Sequence, residues 1–246
     1  MASQVKTSFN FNGTQIPVRI KSDWRDSVRY SITSKSINII IPKYYTKNQV
    51  EKELYKLKEW SLKQFKKNPK LYQRFTSIVY NHDEFVKIYG QLFQLKIYQE
   101  ERKSCSAKIN KQNIVIIKVP EQISIQDQHS LIGQVLSRVF ASYFLEDITN
   151  RVKYYNRTFF QEPLESVKLK NNQTNWGSCS SEKNINLSSR LLFAPTDVLD
   201  YVIIHELAHL KEMNHSSRFW KIVRDIMPNY KEKEKWLSEH GQTLRF

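Results

Sequence analysis

Hydrophobic and polar residues alternate from Ser8 to about Pro42, first in FNFNGTQIPVRI and then in SVRYSITSKSINIIIP. A period of two predicts strands with one buried face, and Asn12 and Gly13 supply the turn of a hairpin. An antiparallel sheet is the expected arrangement. The period then lengthens. In KNQVEKELYKLKEWSLKQFKKNP, Val50, Leu54, Leu57 and Phe65 share one stripe and Lys52, Lys56, Lys63 and Lys67 another, which predicts a basic amphipathic helix closed by Pro69. A second strand group follows in EFVKIYGQLFQLKIYQE, with a turn at Gly90, and in NIVIIKVP. From Asp127 to Asn156 the apolar positions Leu131, Val135, Leu136, Val139, Phe140, Tyr143 and Phe144 recur at helical spacing and predict one helix on the core.

Beyond that helix, SVKLKNNQTNWGSCSSEKNINLSSRLLF reads as two or three short strands with a turn at Ser181–Asn184. Pro195, Thr196 and Asp197 announce a further helix, VLDYVIIHELAHL, with Thr196 or Asp197 as its N-cap. SSRFWKIVRDIM is a short helix ended by Pro228, and KEKEKWLSEHG is a last polar segment. These elements make the chain α+β. The expected boundary lies between 125 and 126: a strand-rich basic region over 1–125, then 126–246 with a small antiparallel sheet and the HELAH helix.

Charge sharpens this division. Residues 1–120 hold 23 lysines and arginines against 9 acids, whereas residues 121–246 hold 16 against 15, so nearly all of the net +15 belongs to the first half. Such a field favours polyanions or acidic partners, and equally serves a solvated surface. The longest apolar runs fall far short of the roughly 20 residues of a membrane span. No secretory signal is readable in MASQVKTSFNF, so a cytoplasmic address is expected. Cys105 and Cys179 lie too far apart for a metal knuckle and are read as reduced thiols.

The chemistry resides in His205-Glu206-Leu207-Ala208-His209. Histidines four apart on a helix lie about 6 Å apart along its axis on one face, so both imidazoles can hold one cation. The intervening glutamate is then placed to take a proton from a water that zinc has acidified. His215, six residues after His209, is favoured as third ligand over Glu212, which lies about 10 Å along the helix from His205. Position 212 carries no glycine to let the chain leave the helix, and Asn214 is expected to make the left-handed turn instead. His82, His129 and His240 belong to no ligand-spaced cluster.

WGSC, INL, LLFAP, LDYVIIHELAHL and NHSSRFW together resemble the YgjP-like metallopeptidase family, which is related to the SprT-like and WLM proteases. The resemblance extends to the basic N-terminal strands and to the late PNY and WL, and so covers nearly the whole chain. It implies a zincin-like second half, Zn2+ bound by His205, His209 and His215, catalysis by Glu206, and a peptide or protein substrate. It also implies that the strand at Trp176–Ser180 pairs with an extended substrate, alongside the plainer role of Trp176 as a core anchor. Phe219 and Trp220 are expected to fix the loop carrying His215. Tyr230, Asn175 and Tyr201 are open candidates for the oxyanion donor, and Asp200 or Glu212 for orienting the histidines. The alternative function is a nucleic-acid-associated zinc protein, either a DNA-directed protease or a binding module, that uses the basic N-terminal half.

Overall fold

The structure, a computed structural model, describes residues 4–33, 36–73, 75–76 and 78–246. It divides into two compact units, Met1–Thr76 and Ser77–Phe246. The division therefore falls at 76/77 and not at 125/126. Residues 85–120 are basic like the first unit, but their apolar face shares a core with the helices that follow, and a core rather than a charge balance defines a unit.

In the first unit, β1 (Gln4–Phe11) and β2 (Thr14–Asp23) form an antiparallel hairpin. Its turn residues, Asn12 at φ 47° and Gly13 at φ 83°, both sit in the left-handed region that this tight turn requires. β3 (Arg29–Ile32) and β4 (Ile37–Pro42) complete the sheet in the order β1-β2-β4-β3. β2 and β4 run parallel, with Val18 beside Ile37, so the sheet is mixed where an antiparallel one was expected. Parallel and antiparallel pairing share the same side-chain period, and alternation alone does not tell them apart. Ile16, Val18 and Ile20 with Ile37, Ile39 and Ile41 form the buried face, covered by Leu57 and Phe65 of α1 (Lys47–Lys67). Thr46 and Gln49 close a reciprocal capping box at the start of α1. Pro69 does more than end this helix: it opens a short α2 (Pro69–Gln73), proline being at ease in a first helical turn.

The second unit opens with the same strand plan. β5 (Phe85–Ile88) and β6 (Gln91–Glu100) form a hairpin, and β8 (Ile114–Pro120) runs parallel to β6 and antiparallel to β7 (Ser106–Ile109), in the order β5-β6-β8-β7. As in the first unit, a long helix follows, α3 (Ile125–Tyr143). The predicted single helix breaks at Phe144, after which α4 (Leu145–Tyr155) and one π turn continue to Phe160. No proline or glycine marks that break. The fully buried Phe144 ring instead packs edge-on to Phe93 and Tyr89.

A three-stranded sheet of order β10-β11-β9 joins β9 (Ser166–Lys170), β10 (Gly177–Cys179) and β11 (Asn184–Ser188). It too is mixed rather than antiparallel: β10 pairs antiparallel with β11, and β9 pairs parallel with it. β10 is an edge strand. α5 (Thr196–Ala208) lies against β10 and β11, and α6 (Ser217–Ile226) and α7 (Tyr230–His240) pack on α5. Among the described residues no helix is long and apolar enough to cross a membrane.

Candidate metal centre

α5 is apolar on nearly every side. Val198, Leu199, Val202, Ile203, Ile204, Leu207 and Ala208 are all buried, so the helix runs through the core and carries its polar residues there. Neither Thr196 nor Asp197 caps it; Pro195 occupies that position, and the Asp197 carboxylate in the first turn receives Lys233 Nζ at 2.6 Å. Asp200, 6% exposed, takes both Nε and Nη2 of Arg151, the latter at 2.7 Å. It is therefore committed to a bidentate ion pair that ties α4 to α5, and its carboxylate does not orient the histidines.

The structure brings His205, His209 and His215 together, each with a ring nitrogen within 4.8 Å of the others. His205 Nε2 and His215 Nε2 face one another at 3.0 Å. Two nitrogens bound tetrahedrally to one zinc at 2.0–2.1 Å stand about 3.3 Å apart, so a cation fits between them with a small outward shift. His209 Nδ1 lies 3.2 Å from the carbonyl of Glu212. Donation there fixes the tautomer and leaves Nε2 with its lone pair free for a metal. Glu212 thus serves His209 through its backbone, and its carboxylate lies outside the cluster.

His205 Nδ1 is buried without a hydrogen-bond partner among the described residues, so protein contacts alone do not compensate the burial of this ring. Burial and the two neighbouring imidazoles hold its pKa down to about 4, and burial likewise lowers that of His209. Three convergent imidazoles are the donor set that zinc takes, and the residues present fit that ion.

The chain leaves α5 without a left-handed residue: neither Glu212 nor Asn214 has a positive φ. Leu210 and Lys211 instead donate to the carbonyls of Leu207 and Ala208, and the tight turns carry the chain round to His215. Ser216 then caps α6 by accepting from the Phe219 amide at 3.3 Å. Phe219 is fully buried, and its ring centroid lies 4.9, 4.6 and 4.7 Å from those of His205, His209 and His215. Trp220 stacks on His215 from the outer side at 5.7 Å. Both residues hold the third histidine in place, as expected. Phe219→Ala is expected to cost about 3–5 kcal/mol of stability and to weaken zinc binding, read by thermal melting and a competitive zinc titration.

Glu206 is 5% exposed, and burial raises its carboxyl to about 8. Its neighbour across the sheet edge is the backbone of β10. A Cβ built on Gly177 would lie 2.5 Å from Glu206 Oε1 and 2.6 Å from its Cγ, so only glycine lets the strand approach this closely. A glycine beside Trp176 is a sequence sign of close backbone approach, but the sequence does not name Glu206 as the side chain approached. Asn175 donates its side-chain amide to the Gly177 carbonyl at 2.9 Å and so supports β10. Tyr201 and Tyr230 are buried and stack on one another, Tyr230 also lying flat against Trp220.

The model of the YgjP-like metallopeptidase domain matches residues 26–240. A curated relative, the UTP pyrophosphatase of Escherichia coli (strain K12), is 26% identical over 85 residues, which are 35% of this chain and 51% of that protein. The chain thus spans about half the length of the curated relative it matches. Two solved structures resemble 37% of the chain. The metallopeptidase zymogen of Pyrococcus abyssi abylysin is 23% identical over 93% of its own chain with a TM-score of 0.35. That of Methanocaldococcus jannaschii jannalysin is 22% identical over 94% of its own chain with a TM-score of 0.34.

Proposed function

Because this chain belongs to the YgjP-like metallopeptidase domain family, we propose that it hydrolyses peptide bonds with a zinc ion held by His205, His209 and His215 and with Glu206 as general base. The observation that carries this reading is the convergence of three imidazoles beside one buried carboxyl. When bound, zinc supplies Lewis acidity toward a carbonyl oxygen and lowers the pKa of a water that it holds. Glu206 receives the proton of the attacking water and returns it to the leaving amine. Phe219 packs against all three rings, and burial holds His205 and His209 in their neutral form. The edge of β10 away from β11, where Asn175 holds the Gly177 carbonyl, offers its backbone groups to an extended peptide, a mode of binding that ignores side-chain identity. The test is removal of the metal: a chelator is expected to abolish cleavage of a peptide library and one equivalent of zinc to restore it. Cleavage that survives complete zinc removal would refute the assignment.

The curated relative's name supports a second reading, hydrolysis of a nucleoside triphosphate at the same centre. The same water-activating groups act on a phosphoanhydride. Release of pyrophosphate from UTP with intact peptides in the same assay would decide for this reading. The nucleic-acid reading rests on the charge of the first half, and its signature is affinity that falls steeply with salt.

A further inference from the structure

Arg190, in the turn after β11, is 7% exposed, and among the described residues its partners include no carboxylate. Its Nε donates to the Leu244 carbonyl at 2.7 Å and its Nη2 to that of Gly241 at 2.7 Å. Nη1 reaches the carbonyls of Asn172 and Gln173 at 3.3 and 3.2 Å. The guanidinium carbon lies 4.2 Å from the centroid of the Trp176 ring. One cation thus gathers the end of α7 and the following turn on one side, and the loop that leads into β10 on the other. Burying an unpaired charge is costly, and four carbonyls with a ring face recover that cost only while they stay in this geometry.

The loop so held ends at Trp176, and the next residue is the glycine that touches Glu206. The packing on the far side is equally close: a Cβ on Gly241 would lie 2.3 Å from Trp176 Cζ2. The Trp176 carbonyl accepts the Ser188 amide at 2.7 Å, and Ser188 Oγ donates to Asn172 at 3.1 Å, so the loop is tied to β11 as well. The path from Arg190 to Glu206 runs through Trp176 and Gly177 without a gap.

Resting on the peptidase reading above, we propose that Arg190 is a positioning residue, which clamps residues 241–244 to the 172–176 loop and so sets β10 against Glu206. It touches neither the metal ligands nor the substrate edge. Its removal therefore leaves zinc binding intact and loosens the strand.

The test uses the full chain loaded with zinc. Arg190→Lys keeps the charge but not the planar fork. It is expected to bind zinc at the parent stoichiometry and to melt in one transition, while kcat falls by roughly 10- to 100-fold, as small misplacements of reacting groups do, and KM changes far less. Hydrogen exchange at the amides of 177–179 is expected to quicken by about tenfold or more with α5 unchanged. Gly241→Ala approaches from the other side. Position 241 has φ −56° and ψ −26°, a conformation alanine adopts freely, so only the collision with Trp176 acts, and the same loss is expected. Unchanged kcat and unchanged exchange in the folded variants overturn the proposal. Failure of both to fold also overturns it, by making the clamp part of the core. A parent protein without peptidase activity refutes the functional reading instead, while the exchange measurement still decides the clamp.

Discussion

Glu206→Gln is expected to retain zinc at the parent stoichiometry and to lose peptide hydrolysis by roughly 10²- to 10⁴-fold, the usual contribution of a positioned general base. Glutamine keeps the shape and the contact with Gly177 but accepts no proton. The same substitution acts on the stability of the metal-free protein, in the opposite direction. In the fold the Glu206 carboxyl is raised to about 8 by burial, from an ordinary value near 4.5. Between those values the folded state holds a proton that the unfolded state has released. Stability therefore falls as pH rises through this window and is lowest above about pH 8. Glutamine has no proton to lose. The metal-free variant should melt above the parent at pH 8, by an amount equivalent to a few kcal/mol, and the gap should close toward pH 4. His205 contributes the reverse slope. Its pKa falls from 6.5 to about 4 on folding, so its share of stability is lost as pH drops through that range in parent and variant alike. Subtracting the two melting curves isolates the carboxyl, and a gap that does not vary with pH would contradict its burial as an acid.

The second large effect concerns a residue without a side chain. Gly177→Ala should lower kcat/KM by about two orders of magnitude, the scale set by an ångström of misplacement at a reacting group. No positive φ is involved at this position, so the alanine backbone is tolerated and the effect is steric. The added methyl meets three atoms of Glu206, Oε1, Cγ and Cδ, at 2.5–2.7 Å. A collision along the whole carboxyl arm displaces it and is not relieved by turning one terminal atom. The three clustered histidines that would hold zinc belong to α5 and to the turn after it, so metal content should be preserved. Parent-level turnover by this variant, measured with zinc content alongside, would show that β10 does not hold Glu206.

Much of the site was legible because its residues are close in sequence. Helical geometry alone places His205 and His209 on one face, and a spacing of six residues brings His215 within reach whichever turn the backbone uses. The turn itself was misread: Asn214 was expected in the left-handed region, yet backbone bonds to Leu207 and Ala208 make the reversal. Asp200 was a plausible partner for a histidine until α4 placed Arg151 against it. In each case the deciding neighbour lies on another element, and spacing along one helix carries no information about it.

Alternation and helical period picked out most of the strands and helices, though not β7 or α2, while residue identity and spacing marked the Asn12–Gly13 turn and the imidazoles and carboxyl of the candidate centre, because each of these depends on neighbours within a few residues. Only the tertiary structure decided that the three sheets of the described residues are mixed, that the chain divides at 76/77, that Phe144 interrupts a helix, and that β10 presses on Glu206. Strand direction, unit boundaries and close packing are settled by contacts between segments far apart in the chain. A hydrophobic pattern states that a face must be buried, and the fold alone supplies the surface that buries it.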